Sequence, residues 1–257
     1  MMLDVRKIYA ILACAVAING QMNWCEIEEA SCQGQGRHIA CENTEFPQGK
    51  CENKQNVPID EDLKIVILAR HNRYRSQLAM GHVPRFPKAA KMEEMVWDDQ
   101  LAYLAQQHVK HCSFMHDECR ATEEFPTAGQ NLAFTAEPTA NVSYPSILDS
   151  LVDLWWKEHE KTKVTIVDEL RATDSLTSGH FSQMAKEANT HIGCGYLTYE
   201  YDADDTHWFS HMLTCNYADN NWLGQPMYTP GDPCSQCKEL GKACSKKYPG
   251  LCAASLI

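Results

Sequence analysis

Apolar positions fall into a few periodic runs separated by polar, cysteine-rich stretches. Leu63, Val66, Ile67, Tyr74 and Leu78 recur near a 3.6-residue spacing and stop at Gly81. That spacing predicts an amphipathic helix, with Asp60 as its N-cap and Gly81 as its stop. A second helix is expected from about Asp98, again a capping residue, to Lys110, with Leu101, Leu104 and Ala105 on its apolar side. Pro145 suits a first helical position, and Ile147, Leu148, Leu151, Val152, Leu154 and Trp155 continue that helix. A short fourth helix is expected over 181–188. Residues 21–58, 82–95 and 112–145 read as loops, the last with a short apolar piece at Leu132-Ala133-Phe134.

Two β-rich runs follow, 192–201 and 206–217, separated by Asp202-Ala203-Asp204-Asp205. A polar turn between two such runs predicts a hairpin. Residues facing each other across a hairpin share one index sum. For Cys194 and Cys215 that sum centres the turn inside the acidic loop, so the two cysteines face each other and can bridge. Helices and strands alternate in no βαβ rhythm. The class is therefore α+β, or a three-layer α-β-α sandwich, in one domain with cystine-rich ends.

The first twenty residues carry a different signal. Arg6 and Lys7 precede an apolar run from Ile8 to Ile18, and Ala15-Val16-Ala17 offers small residues for cleavage between Ala17 and Gly20. This pattern is that of a secretory signal peptide, too short to span a bilayer. It gives the thirteen cysteines a setting. Cys14 leaves with the signal and twelve remain, an even number that reads as six disulfides in a secreted chain. Paired sulfurs are not nucleophiles, so cysteine-protease and thiol-redox chemistry drop out. The formal charge of −11 argues against nucleic acid and anionic lipid as partners. Asn141-Val142-Ser143 is a glycosylation sequon in a polar loop, predicted to be exposed and glycosylated.

Gly179-His180-Phe181-Ser182-Gln183 followed by Ile192-Gly193-Cys194-Gly195 resembles the first signature of the CAP superfamily of cysteine-rich secretory, antigen 5 and pathogenesis-related proteins. Leu213-Thr214-Cys215-Asn216-Tyr217 is similar to the second. His71-Asn72-Arg73-Tyr74-Arg75, the Cys112–Arg120 loop, Gly129-Gln130-Asn131-Leu132-Ala133 and His38-Ile39-Ala40-Cys41 look like the insect antigen 5 version, and the tail ending at Cys252 resembles that of Diptera. The resemblance implies a signal over 1–20, a cystine-rich segment over 21–58, a CAP/SCP domain over 59–228 and a disulfide-stapled tail over 229–257. It implies the pairs Cys25–Cys41, Cys32–Cys119 and Cys51–Cys112. Cys234, Cys237, Cys244 and Cys252 then pair among themselves, which turns the C-x-x-C at 234–237 into structural cystine rather than a zinc or redox motif.

The family's central cleft of two histidines and two acids maps to His116, Gln130, Glu158 and His180. Two neutral imidazoles with Glu158 could hold a weak zinc or copper ion. Gln130 stands where the family has glutamate, which removes charge and one general base. Lys186 stands where the family has tryptophan. The same histidines read equally well as hydrogen-bonded structural groups. His108 with His111, and His207 with His211, read as surface or packing histidines. No HExxH, GxSxG, P-loop or Arg-Gly-Asp occurs, and Ser182 beside His180 lacks nucleophile geometry. Apolar rows on the first helix (Val66, Ile67, Arg70, Tyr74) and third helix (Leu148, Val152, Trp155) either fill the core or line a lipid groove. The resemblance implies a secreted, extracellular, non-enzymatic salivary or venom protein that needs no cofactor. Its partner would be a small hydrophobic ligand, a lipid or eicosanoid, or a host protein. A weak metal-dependent hydrolase or redox scavenger, and a channel or receptor modulator acting through the tail, are the alternatives.

Overall fold

The structure, a computed structural model, describes residues 22–43 and 51–256; the expected signal peptide lies outside them. A five-stranded sheet runs in the order β1 (Glu52–Val57), β4 (His191–Ala203), β5 (Thr206–Tyr217), β3 (Gly129–Glu137), with β2 (Val96–Trp97) pairing in parallel with β4. Helix α3 (Asp99–Lys110) covers one face. Helices α2 (Glu61–Ala79), α4 (Tyr144–Lys157) and α5 (Ala172–Ala185) cover the other. This is the three-layer α-β-α sandwich expected from the pattern.

The helix starts follow from capping. The side chain of Asp60 accepts from the Leu63 amide at 3.0 Å and that of Asp98 from the Leu101 amide at 2.7 Å, each satisfying a donor the helix cannot. Pro145 sits in the first turn of α4. The hairpin turns at Asp204 and Asp205, both at positive φ, a geometry aspartate tolerates better than most residues. Its register sets Cys194 opposite Cys215, and the two are bonded with Cα atoms 4.1 Å apart.

The alternation Ile192-Gly193-Cys194-Gly195 has a steric cause. Ile192 and Cys194 point into the main core, while Gly193 and Gly195 face α3. A Cβ on Gly193 would lie 2.1 Å from the Ala102 nitrogen, and one on Gly195 2.4 Å from that of Gln106. Only bare glycine lets the helix come that close. The main core is filled by Ile67, Leu148, Val152, Trp155, Phe181 and Tyr217. The helix rows considered for a lipid groove, Ile67, Leu148, Val152 and Trp155, are therefore core, and Arg70 is tied to Asp153 at 2.5 Å.

Three expectations are corrected. The segment 21–58 is not only loop: it contains α1 (Trp24–Ser31), capped by Asn23, and β1. The piece at 132–134 is the middle of the nine-residue strand β3. The fourth helix begins at Ala172 and ends at Ala185, rather than covering 181–188. Of the histidines read as surface or packing groups, His108 and His211 are packing groups, both deeply buried.

The structure joins Cys25–Cys41, Cys32–Cys119, Cys51–Cys112, Cys234–Cys244 and Cys237–Cys252. In the tail, β6 (Lys242–Cys244) pairs with β7 (Cys252–Leu256). Tyr248 and Leu251 enter the main core, and Cys252 exchanges backbone hydrogen bonds with Met92 and Glu94. The tail is thus packed onto the sandwich. Among the described residues no helix is long and apolar enough to cross a membrane.

Candidate functional site

His180 lies on α5, and Glu158 directly follows α4. His180 donates from Nδ1 to Glu158 Oε1 at 2.7 Å, while Glu158 Oε2 accepts the backbone amides of His180 at 2.9 Å and Phe181 at 3.0 Å. The imidazole stacks over Trp155, ring centroids 6.3 Å apart. Trp155 is itself fixed by donating to the Leu132 carbonyl at 2.8 Å. His116 sits in the loop after α3 and donates from Nδ1 to Gln130 Oε1 at 2.9 Å. Gln130 then donates to Asp117 at 2.7 Å and to Asn216 at 3.0 Å. The carboxylate of Asp117 also pairs with Arg120 at 2.7 Å.

Each histidine is thus held at Nδ1 by a buried or half-buried acceptor, which fixes the tautomer with Nε2 as the open lone pair. His116 keeps an exposed edge although protein packs closely round it. That desolvation lowers its pKa, the hydrogen bond to Gln130 opposes the shift, and Arg120 and His180 add to it. The field of His180 at His116 places the two rings in one electrostatic neighbourhood. Among the described residues, no group of three His, Cys, Asp or Glu side chains is placed to hold a metal ion. The set His116, Glu158 and His180 is accordingly two imidazoles, with Glu158 engaged in orienting His180. Any metal bound there would rest on the two Nε2 atoms and exogenous ligands.

Behind the pair runs a network that the sequence did not announce. Asn131 donates to the His180 carbonyl at 3.1 Å and to the Tyr217 hydroxyl at 3.2 Å. Tyr217 meets His71 Nε2 at 3.0 Å, and His71 Nδ1 donates to the Ile67 carbonyl at 2.8 Å. Burial holds the His71 imidazole down to about 4. The histidine of the 71–75 motif is therefore a neutral connector between α2 and the floor of the site. Arg75 and Asn72 from the same motif bond only to backbone groups, so the motif ties α2 to the loops.

Ser182 donates to the Gly179 carbonyl and accepts from Asn221, so it is not aligned with His180. Lys186, in the place of the family tryptophan, pairs with Asp219 at 2.7 Å. Burial would raise the carboxyl of Asp219, but hydrogen bonds from Lys186 and Trp222 outweigh it and hold it below the usual range.

A cavity of about 580 Å³ opens beside His116, a size that suits a small organic ligand. One wall is the cystine-held segment 37–43. The other carries His108, His111, Met115 and His116. It touches neither His180 nor Glu158. Its sequence traces were scattered: the His38–Cys41 stretch, the Cys112–Arg120 loop with His116, and the shared helix face of His108 and His111. His38 and His108 have both ring nitrogens satisfied inside the protein, and burial lowers the pKa of each. Arg37, at the rim, is bracketed by Glu28 and Glu42.

A family model described as CAP, the cysteine-rich secretory protein family, matches residues 68–217. Venom allergen-1 of Aedes albopictus is 34% identical over 233 residues, covering 90% of this chain and 87% of that one. Antigen 5 like allergen Cul n 1 of Culicoides nubeculosus is 38% identical over 164 residues, 63% of this chain and 74% of that one. Among solved structures, the chain solved as NaASP2 with Zn2+ superimposes with a TM-score of 0.57 at 23% identity, covering 80% of this chain and 99% of that one. That last likeness speaks to the fold alone.

Proposed function

The chain belongs to the CAP, or cysteine-rich secretory protein, family, and from that premise we propose that it is a secreted protein that acts by binding a small ligand rather than by catalysis. The observation that carries this is the cavity beside His116. Its walls combine the apolar side chains of Ile39 and Met115 with imidazoles kept neutral by burial. Its rim cation, Arg37, is already neutralised by two carboxylates. Such a lining suits a neutral, largely apolar molecule better than a free carboxylate. The helix rows are otherwise occupied: Ile67, Leu148, Val152 and Trp155 are core, Val66 and Tyr74 pack against it, and Arg70 is held by Asp153. Against catalysis stands the lack of a nucleophile aligned with His180: Ser182 is bonded to Gly179 and Asn221, and Gln130 cannot act as a base. The signal-like leader and the six disulfides support secretion.

Native mass spectrometry of the protein secreted from insect cells tests this. A small-molecule adduct that is released on denaturation and lost in Ile39→Trp, which fills the cavity, is the expected result. Adduct-free wild-type protein overturns it.

A second reading is favoured by the two open Nε2 atoms. With exogenous ligands they would make a weak zinc or copper site, and a protein of the same fold was solved with zinc. Such a site would fit a metal-dependent scavenging role. Calorimetric titration with Zn²⁺ of wild type and of a His116→Ala/His180→Ala variant decides it. Equal binding by both would place the metal elsewhere.

A further inference from the structure

On the face of the sheet opposite α3, where the helical layer ends, a cavity of about 140 Å³ lies between β1, the hairpin and the start of α4. His211 is almost wholly buried at its wall. Its Nδ1 bonds to the Tyr196 hydroxyl at 2.6 Å, and its Nε2 has no partner among the described residues. Because the phenol can donate or accept, either tautomer leaves Nε2 unsatisfied. A buried polar group left so costs about 1–3 kcal/mol, which makes it a place where a ligand can supply the missing bond. Burial also lowers the His211 pKa, so the ring is neutral near pH 7.

The rest of the lining is specific. Tyr144 packs edge-on to His211, ring centroids 6.3 Å apart, and Phe209 is the next residue on that face of β5. Glu200 stands opposite Phe209 in the register. Its contacts, to Asn53 at 2.8 Å and His207 at 3.4 Å, both fall on Oε2, leaving Oε1. From His191 to Tyr217 the chain contains no Lys or Arg. Lys54, the basic residue next to Gln55 on β1, donates to the Cys51 carbonyl. Glu200 and His211 are diagonal neighbours across the two strands, about 7–8 Å apart in a regular sheet. A space of this volume takes one benzene-sized ring.

We propose that this cavity is a second binding site, for a small aromatic amine carrying a ring hydroxyl. The hydroxyl meets His211 Nε2, the ring lies against Tyr144 and Phe209, and the ammonium pairs with Glu200 and the aromatic faces. The site shares no lining residue with the cavity beside His116, so the two readings fail separately.

Calorimetry on the full chain with tyramine, phenethylamine and tyrosol tests it. Tyramine is expected to bind at least tenfold more tightly than phenethylamine, which lacks the hydroxyl, or tyrosol, which lacks the amine. Glu200→Gln should erase the preference over tyrosol and keep that over phenethylamine. His211→Phe should do the reverse. If His211→Phe fails to fold, Glu200→Gln still decides, since that side chain lies at the sheet surface. No heat from any of the three at millimolar concentration means a cavity filled by water only and overturns the proposal. Tyramine binding unchanged in Glu200→Gln overturns it as well.

Discussion

Glu158 holds His180 at two points: its Oε1 takes the ring N–H at 2.7 Å and its Oε2 takes the same residue's backbone N–H at 2.9 Å. One carboxylate therefore fixes both the tautomer of the imidazole and the position of the helix that carries it. Removing it leaves a ring nitrogen and two amides without their acceptor. Glu158→Ala should cost about 2–4 kcal/mol in urea unfolding. Any zinc affinity of the site should fall by roughly 10–100-fold. His116→Ala, at an exposed edge, should cost under about 1 kcal/mol. Equal losses for the two variants would mean that Glu158 has no special hold on α5.

Arg75 is a buried cation with no ion pair among the described residues. Its Nε and Nη2 donate to the Glu93 carbonyl, and its Nη1 donates to those of Met184 and Lys186. Burial lowers its pKa to about 10, still charged at neutral pH. Arg75→Met would keep much of the apolar stem and strand three carbonyls, so a loss of about 3–5 kcal/mol is expected. Arg73, exposed on the same helix, is the control, and Arg73→Ala should change stability by less than about 0.5 kcal/mol. Chemical denaturation of both variants checks the contrast. A loss under about 1 kcal/mol for Arg75→Met would show that water replaces the guanidinium.

The glycines of the Ile192–Gly195 stretch set the distance between sheet and helix. Gly193→Ala would drive a methyl onto the backbone of Ala102 and Asp98, atoms that no rotamer can move. The helix must shift or the strand must bend, so the variant should lose several kcal/mol, above the usual ~1–3 kcal/mol of overpacking. Gly179→Ala is the matched control, since a methyl there would meet nothing within 4 Å. Expression yield and thermal midpoint of the two variants separate them. An unchanged midpoint in Gly193→Ala would refute the steric account.

The parts of this fold legible in the sequence are those where a local rule and the tertiary fold agree. Asp60 and Asp98 cap, Pro145 opens a helix, and the acidic turn with its flanking β-branched runs closes a hairpin. Strand β3 escaped because both of its faces are covered at Gln130 to Ala133, so no alternation appears. Its buried Gln130 and Asn131 are hydrogen-bonded polar residues that look like loop. Strand β1, Glu-Asn-Lys-Gln-Asn-Val, has almost no apolar signal and is held at the sheet edge by pairing with β4 and by Cys51–Cys112. The start of α5 is rich in Thr, Ser and Gly, poor helix formers whose helix depends on tertiary support such as the bond from Thr162 to Ser178. Motif matching reached His116, Gln130, Glu158 and His180. It could not show that Glu158 serves His180, or that His71 reaches Tyr217, because both depend on pairs far apart in the chain.

Sequon Asn141 is exposed in the loop just before α4, and its backbone N–H donates to the Thr139 hydroxyl. Nothing there prevents a glycan from projecting into solvent. Protein from a eukaryotic secretory host should lose mass on treatment with a peptide N-glycosidase, and Asn141→Gln should not. Identical masses before and after treatment of wild type would count against occupancy.

Histidine burial sets the acid side of the stability profile. His71 is held neutral, its pKa lowered to about 4 by burial, and His38, His108, His116 and His211 are lowered in the same direction, chiefly by desolvation. In the unfolded chain each titrates near ~6.5. Below that pH the unfolded state binds protons that the native state refuses, so stability falls as pH drops from about 6.5 toward 4. The slope reaches at most ~1.4 kcal/mol per pH unit for each such histidine. Asp153 and Asp219, lowered by their basic partners despite burial, lose their contribution in the same sense but only below about 4. His207, raised by Asp202 and fully exposed, works in the opposite sense and is screened by water. Urea midpoints measured from pH 7.5 to 4.5 should therefore decline well before the carboxylates titrate. His71→Gln should flatten part of that decline, because the amide keeps a donor and an acceptor without a titrating nitrogen. A profile level down to pH 4.5 in wild type would rule out buried neutral histidines as the source of acid sensitivity.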